Sequence, residues 1–242
     1  MIRTIYLIIV GYFIIGGIAF YFINRKKEPS DARKNRTKYI AYMVIINILF
    51  FSIVITTVAF RVVSIVIITG GLCELFKLYR DSNYEKKRFF FISLSLFILL
   101  SVGFYFFSGM GKGLILFTFL ALSIFDSFSQ ITGQLWGKRK ILPGISPSKT
   151  LEGLSGGTII AVFSSLFFKG LIEETPINPL LLSAGIVTFA FIGDFAASYY
   201  KRNYKVKDFS NMIPGHGGFL DRFDSLIAAG AGIAFTGIFV NL

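Results

Sequence analysis

The sequence predicts an all-α fold, a polytopic integral membrane protein with about eight transmembrane helices. Its composition supports this class: 54% of the 242 residues are hydrophobic and only 16% are charged, too apolar for a soluble domain of this length. Apolar runs of about 19 residues, the length that crosses a bilayer, also recur along the whole chain. The eight predicted spans are approximately 4–23, 39–58, 60–79, 89–107, 113–132, 154–172, 180–200 and 222–241.

The boundaries between these spans come from breaks in the apolar pattern. The second and third runs are nearly fused, and we place their break around Ala59–Arg61. The first run is too long for a removable signal peptide and lacks a small-residue cleavage site, so we expect it to stay as a helix. No internal repeat or soluble domain interrupts the pattern. The prediction is therefore a single transmembrane domain over residues 1–242.

Basic residues occupy alternate loops and predict the orientation. Of the 25 Lys and Arg, twenty lie in four loops, at 24–38, 80–88, 133–153 and 201–222. By the positive-inside rule these loops face the cytoplasm and both termini face the opposite side. We accordingly predict a protein of the inner (cytoplasmic) membrane whose polar site faces the cytoplasm. Topology and anionic lipid headgroups explain the net charge of +12, so no nucleic acid partner is expected.

Aspartates inside or beside the predicted spans indicate a polar site. Asp126 interrupts the fifth span and Asp194 the seventh, and each costs about 2.5–3.5 kcal/mol to insert. Asp221 and Asp224, at the start of the eighth span, are three residues apart and share one helical face. Carboxylates without His or Cys partners suit a hard cation such as Mg²⁺. The alternative is that each aspartate pairs with a neighbouring Lys or Arg, or caps a helix as Asp221 could.

Two basic loops on the same side contain features expected of a phosphate site. Loop 133–153 places Lys149 and Thr150 at the start of the sixth helix, where backbone N–H groups and the helix dipole favour anions. The Pro-Gly-His-Gly-Gly turn at 214–218 has glycines that let N–H groups approach an anion. His216, the only histidine, either forms a structural hydrogen bond at this turn or contacts a phosphate or proton.

Helical spacing predicts two further arrangements. Asp194, Ser198 and Lys201 are four and seven residues apart, so they lie on a single face of the seventh helix. Glu74, near the end of the third span, has Lys77 one turn later. We interpret Glu74 and Lys77 as a structural ion pair and not as ligands.

With these residues placed, the chain resembles the phosphatidate cytidylyltransferases, also called CDP-diacylglycerol synthases. Their C-terminal signature is matched over residues 198–224, with Tyr200 where the family usually has an aliphatic residue or Phe. The similarity covers about residues 120–230, which we predict to be the catalytic part, and the first hundred residues share only hydropathy. The matching signature residues are Ser198, Lys201, Arg202, Lys207, Asp208, Ser210, Pro214, His216, Gly217, Gly218, Asp221, Arg222 and Asp224; upstream they are Asp126, Gly133, Gly137, Lys138, Ser146, Pro147, Lys149, Thr150, Glu152, Gly153, Gly193 and Asp194.

The resemblance implies a nucleotidyltransferase of phospholipid biosynthesis, which transfers cytidylyl from CTP to phosphatidic acid and yields CDP-diacylglycerol and pyrophosphate. It also implies Mg²⁺ as cofactor, beside which a monovalent cation such as K⁺ can be bound in the family. The expected partners are CTP, phosphatidic acid and membrane lipids. A homodimer is compatible with the sequence, which does not determine the oligomeric state.

Under this resemblance each candidate residue has an expected role. Asp194 and Asp221 are the principal metal ligands, and Asp126 and Asp224 are second candidates for the same metal. The expected catalytic residues are Asp194, Asp221, Lys207, Arg222 and His216, and the expected substrate-binding residues are Lys149, Ser198, Lys201, Arg202, Gly217 and Gly218.

Other functions remain open at this point. A CTP-dependent polyprenol or phytol kinase would have similar spans and acids but would transfer the γ-phosphate. A CDP-archaeol-type synthase acting on an ether lipid phosphate would share the chemistry, and no residue identifies acyl or ether chains. Transporters also contain intramembrane acids and glycine-rich breaks. They are less favoured because the chain lacks matching broken helices in its two halves.

Overall fold

The computed structural model of the chain describes residues 2–25, 28–173, 177–214 and 217–240. Most successive helices are joined by short connections and pack against each other as antiparallel neighbours, whereas α5–α6 and α7–α8 are joined by longer loops. The elements in order are α1 (Ile2–Asn24), α2 (Pro29–Ile55), α3 (Thr57–Asp81), α4 (Lys87–Phe107), α5 (Lys112–Trp136), β1 (Lys140–Leu142), β2 (Ser146–Thr150), α6 (Leu151–Ser164) with a 3-10 helix at Ser165–Leu171, α7 (Pro179–Asn203) and α8 (Leu220–Val240).

The all-α class and the polytopic membrane character are confirmed. Each predicted span corresponds to one helical element, and six stretches of the described residues are long and apolar enough to cross a membrane. The count of about eight spans stays a prediction for α1 and α8. The six stretches are Asn35–Ile55, Thr57–Asp81, Lys87–Phe107, Lys112–Trp136, Leu151–Leu171 and Pro179–Asn203.

The break between the second and third helices lies earlier than predicted. It falls at Thr56, whose backbone is extended with φ −149° and ψ 149°, whereas residues 59–61 are helical, so the predicted position was wrong. The Thr56 hydroxyl oxygen accepts a hydrogen bond of 2.9 Å from the backbone N–H of Ala59 and caps α3. Hydropathy does not show this break because apolar residues continue on both sides, whereas a threonine cap is a local hydrogen-bonding signal.

The long basic loop between α5 and α6 contains a small antiparallel sheet, a departure from an entirely helical expectation. Strands β1 and β2 pair Lys140 with Thr150 and Leu142 with Ser146. Thr150 then caps α6, since its hydroxyl oxygen accepts a hydrogen bond of 3.1 Å from the Gly153 N–H. The predicted helix start at this loop is confirmed, and the pairing of β1 with β2 fixes the position of the residues that precede α6.

Helix α8 occupies the centre of the bundle. It packs against α3, α4, α5 and α7, and small residues such as Ala229 and Ala231 are fully buried on it. A helix that is apolar all round is typically buried on all sides, which explains this position. The first turn of α8, with Asp221 and Asp224, is therefore surrounded by other helices.

Hydrogen bonds show that the basic loops meet at one end of the bundle. The Lys86 ammonium, after α3, donates to the carbonyl oxygen of Asn203 at the end of α7, at 2.8 Å. The Arg202 Nε donates to the carbonyl oxygen of Ile145, in the hairpin, at 3.0 Å. The loops at 80–88, 133–153 and 201–222 thus form one polar surface, on the same side as the sequence predicts.

Candidate functional site

Lys149 lies at the centre of a group of aspartates contributed by three helices. Its ammonium forms an ion pair with Oδ2 of Asp194, and the Ser198 hydroxyl donates to Oδ1 of the same aspartate at 3.3 Å. The charges of Asp224 and Asp126 also act on Lys149. The structure thus brings together four of the predicted site residues, Asp126, Lys149, Asp194 and Asp224, and confirms that Ser198 shares a helical face with Asp194.

This group is partly open to solvent. The side chains of Lys149 and Asp194 are 25% and 34% exposed. Asp126 is exposed as well. Burial lowers the pKa of the Lys149 ammonium, and the charges of Asp224 and Asp126 oppose that change. A ligand can therefore reach these carboxylates from the polar surface.

Asp221 belongs to a second and more closed group. Its Oδ1 accepts from the Lys201 ammonium at 2.6 Å, and its Oδ2 accepts from the backbone N–H groups of Phe209 and Gly218, both at 2.8 Å. The side chains are 4% exposed for Asp221 and 11% for Lys201. The alternative in which an aspartate pairs with a neighbouring lysine describes this contact. The carboxylate also holds the loop between α7 and α8, residues 204–219, here called the signature loop, against the start of α8.

Of the two glycines of the turn at 214–218 that the structure describes, Gly218 already uses its backbone N–H group within the protein, and the predicted anion site at the turn stays a prediction. Gly217 has φ 83°, a left-handed conformation that favours glycine, and its carbonyl oxygen accepts from the Ile213 N–H at 2.8 Å. The Gly218 N–H bonds to Asp221. His216 lies outside the described residues, so its two predicted roles stay predictions.

The remaining predicted cations differ in their surroundings. The Arg202 guanidinium donates to the carbonyl oxygens of Ile145 and Val206, at 3.0 and 2.7 Å, and so joins the end of α7 to the hairpin. Lys207 and Arg222 are exposed on the polar surface, and the charge of Arg222 acts on Asp126. Lys207 and Arg222 are therefore accessible to a soluble anion, while Arg202 has a structural contact.

Glu152 fixes the hairpin that carries Lys149. Its carboxylate accepts from the backbone N–H groups of Lys138, at 3.0 Å, and Arg139, at 3.1 Å. Glu152 lies in the first turn of α6, where a negative charge is favoured by the helix dipole. This side chain thus helps to hold the start of α6 against the residues before β1.

Glu74 is a buried residue of the site region whose partners the sequence did not reveal. Its side chain does not form the predicted ion pair with Lys77; its carboxylate accepts from the Ser210 hydroxyl and from the N–H groups of Phe219 and Leu220. An acid inside an apolar helix was the available signal. Its partners lie more than 130 residues away in the sequence, which local spacing does not reveal.

The donor set fits a hard divalent cation only in part. Within the described ranges, no group of three or more His, Cys, Asp or Glu side chains is close enough to hold a metal ion by itself. Mg²⁺ in proteins is usually held by one or two carboxylates together with water and substrate phosphates. The carboxylate oxygens of Asp126, Asp194 and Asp224, which lie around Lys149, are donors of the kind that Mg²⁺ prefers, and Asp221 has both oxygens already hydrogen bonded.

An apolar groove lies beside the charged residues. It has a volume of about 280 Å³, lies between α4 and α7, and is lined on one side by α8. At its loop end the ring of Phe89 contacts those of Tyr199 and Tyr200, with ring centroids 5.9 and 5.6 Å apart. From Phe89 to Leu100 the groove follows α4 for about 16 Å, roughly one leaflet of the hydrocarbon core. Asp224 is part of its lining.

Comparisons with known proteins identify relatives of this chain. A family profile described as "Cytidylyltransferase family" matches residues 107–239. The phosphatidate cytidylyltransferase of Staphylococcus epidermidis is 36% identical over 175 residues, which cover 68% of this chain and 67% of that protein. The phosphatidate cytidylyltransferase of Bacillus subtilis is 45% identical over 105 residues, 42% of this chain and 39% of that protein. That of Aquifex aeolicus is 41% identical over 114 residues, 47% of this chain and 42% of that protein.

Proposed function

Because the chain belongs to the cytidylyltransferase family, we propose that it transfers the cytidylyl group of CTP to phosphatidic acid, giving CDP-diacylglycerol and pyrophosphate. The protein is then a nucleotidyltransferase of phospholipid biosynthesis. Its two substrates differ in polarity, since CTP is soluble and phosphatidic acid remains in the membrane. The site must therefore meet both the polar surface and the lipid.

The observation that supports this proposal most directly is that Asp224 lies between the apolar groove and the charged residues around Lys149. Asp224 lines the apolar groove between α4 and α7, and its charge also acts on Lys149 within the group of aspartates. A lipid with one chain in the groove would bring its phosphate to these charged residues. CTP would approach the same residues from the polar surface, where Lys207 and Arg222 are exposed.

The chemistry requires alignment and charge neutralisation more than a strong base. A phosphate oxygen of phosphatidic acid attacks the α-phosphorus of CTP. A new oxygen–phosphorus bond forms as the bond from the α-phosphorus to the oxygen bridging to the β-phosphorus breaks, and pyrophosphate leaves with that electron pair. The attacking oxygen is already an anion, so catalysis depends on positioning and on cationic side chains, as in other phosphoryl transfers.

Within this proposal Lys149 neutralises phosphate charge and the aspartates hold a metal, while Lys201 stays a predicted substrate-binding residue. Asp194, Asp126 and Asp224 would hold Mg²⁺, which supplies positive charge beside the triphosphate when bound. Asp221 stays a predicted ligand through the remaining lone pair of Oδ1, next to Lys201, in addition to its contacts with the loop. A monovalent cation such as K⁺ beside Mg²⁺ also stays a prediction.

The proposed location is the inner membrane, with the site facing the cytoplasm. The distribution of Lys and Arg supports this orientation, because the basic loops surround the group of aspartates. CTP is a cytoplasmic nucleotide, so the orientation also suits the substrate. A homodimer stays a prediction that a measurement of mass in detergent or nanodiscs would test.

The experiment that tests the function uses purified protein, phosphatidic acid, Mg²⁺ and CTP labelled at either the α- or the γ-phosphate. Cytidylyl transfer puts the α label into a lipid and the γ label into pyrophosphate. A CTP-dependent lipid kinase would put the γ label into the lipid, and that result would overturn the proposal. Replacing phosphatidic acid by an ether lipid phosphate in parallel reactions separates the acyl and ether substrates.

A further inference from the structure

Glu74 is a buried carboxylate that comes from outside the matched family region. It lies in α3, is 1% exposed, and precedes residue 107, where the family match begins. It is seven residues before Asp81, so it lies about 10 Å from the end of α3. A buried acid without a chemical or structural role is costly to keep. Its contacts therefore indicate what it does.

The Glu74 carboxylate joins the two segments of the chain that flank the glycine-rich turn. Oε1 accepts from the Ser210 hydroxyl at 2.5 Å and from the Phe219 N–H at 2.9 Å, and Oε2 accepts from the Leu220 N–H at 2.8 Å. Ser210 and Phe219 lie on either side of the glycine-rich turn. One side chain thus determines both how the loop closes and where α8 begins.

The Glu74 carboxylate is stabilised by the start of the helix that it contacts. Among the described residues, no Lys or Arg forms an ion pair with it. Leu220 is the first residue of α8, and a carboxylate that accepts from the first N–H groups of a helix is stabilised by their positive partial charge. The contact is therefore specific for an acceptor that has two oxygens and a negative charge.

Glycines allow α3 to come close enough for this contact. Any side chain at Gly70 would meet the ring of Phe219, and one at Gly218 would overlap the Glu74 carboxylate. The Phe219 ring therefore packs directly on the backbone of α3, and the Glu74 carboxylate packs on the backbone of Gly218. A small movement of α3 would move the first turn of α8 with it.

We propose that Glu74 is a positioning residue for the catalytic end of α8. Through its three hydrogen bonds it places the first turn of α8, and with it Asp221 and Asp224, relative to Lys149 and Lys201. This inference rests on the proposed function for its effect on activity. The effect on the loop itself is independent of that function. The N-terminal half of the chain thereby contributes to a site whose recognisable motifs all lie in the C-terminal half.

The test compares Glu74→Gln with Glu85→Gln, the same chemical change at an exposed glutamate of the same polar surface. Glutamine has one acceptor oxygen, so its amide group must face at least one backbone or hydroxyl donor. For E74Q we expect kcat to fall by about tenfold or more, because one well-formed hydrogen bond to a charged group is lost. The Mg²⁺ concentration for half-maximal activity should rise by about threefold. E85Q should match the wild type in both.

Amide hydrogen exchange supplies a readout that does not depend on activity. We expect faster exchange in E74Q over residues 209–223, and no change there in E85Q. A merely structural role would lower the thermal unfolding temperature without changing the Mg²⁺ dependence of the folded enzyme. That outcome, or unchanged exchange at 209–223, would overturn the positioning role.

A milder variant keeps the proposal testable where E74Q does not fold. Ser210→Ala removes one of the three donors and should change kcat and Mg²⁺ dependence in the same direction, by about two- to threefold. An S210A enzyme identical to the wild type would contradict the proposal. A wild-type protein that makes no CDP-lipid would instead remove the proposed function, so the two failures are distinguishable.

Discussion

Two lysine–aspartate ion pairs lie at the polar end of the bundle, and they differ in how closed they are. Lys149–Asp194 joins a hairpin strand to α7, with side chains 25% and 34% exposed. Lys201–Asp221 joins the end of α7 to the start of α8, with side chains 11% and 4% exposed. Asp221 also accepts from two backbone N–H groups, whereas the partner of Asp194 besides Lys149, among the residues that the structure describes, is the Ser198 hydroxyl.

This difference in exposure indicates that the two ion pairs have separate roles. A buried and fully bonded ion pair keeps one geometry, because breaking either partner leaves an unpaired charge inside the protein. A partly exposed ion pair can exchange its partner for a ligand at small cost. We infer that Lys201–Asp221 maintains the loop and that Lys149–Asp194 is the pair that a phosphate or metal would rearrange.

Asp221→Asn should have the largest effect, on both stability and activity. It leaves the Lys201 ammonium buried without its ionic partner, which costs about 3–5 kcal/mol of unfolding free energy. Activity should fall by about 100-fold or more, since the first turn of α8 loses its anchor. Thermal unfolding in detergent by circular dichroism, together with the CDP-lipid assay, measures both. An unfolding temperature equal to that of the wild type would contradict the structural role assigned to the Lys201–Asp221 pair.

Asp194→Asn should reduce activity about as strongly, by about 100-fold, while leaving the protein folded. Its ion pair is partly exposed, so we expect the unfolding temperature to stay within about 2 °C of the wild type. The matched control is Asp81→Asn, an exposed aspartate paired with Arg80, which should change neither quantity. An active D194N enzyme would remove Asp194 from the metal and phosphate site.

Lys149→Gln sharpens the comparison within the open pair. We expect the KM for CTP to rise by about tenfold, because one charge-assisted contact to phosphate is lost. The unfolding temperature should change less than in Asp221→Asn. Because Lys149 and Asp194 contact each other, the double variant K149Q/D194N should lose less activity than the two single losses combined. Additive effects of the two substitutions would indicate that they act on separate steps.

Lys207→Gln should have the smallest effect. Lys207 is exposed on the polar surface, and an exposed cation contributes mainly to attracting the nucleotide. We expect a rise of about two- to threefold in the KM for CTP that disappears at high ionic strength. Kinetics at low and high salt check this, and a large loss of kcat would show that Lys207 contacts the reacting phosphates.

The sequence predicted the helices well, because that signal is local. Of the aspartates expected to converge, the structure brings Asp126, Asp194 and Asp224 together around Lys149, whereas Asp221 lies in a separate group with Lys201. Long apolar runs identify the spans, and an acid such as Asp126 or Asp194 inside one of them is conspicuous. The break at Thr56 and the hairpin that contains Lys149 were not predicted, because each depends on a few hydrogen bonds and not on hydropathy. Glu74 was assigned to its neighbour Lys77, because contacts between distant parts of the chain leave no local pattern.

The central position of α8 affects how the protein is made. Helices α3, α4, α5 and α7 all pack against α8, yet each of them is synthesised before it. Until α8 enters the membrane, these helices have a gap where their shared partner belongs, and the acids of α5 and α7 face that gap. The candidate site can therefore form only once α8 has packed between helices that were synthesised before it.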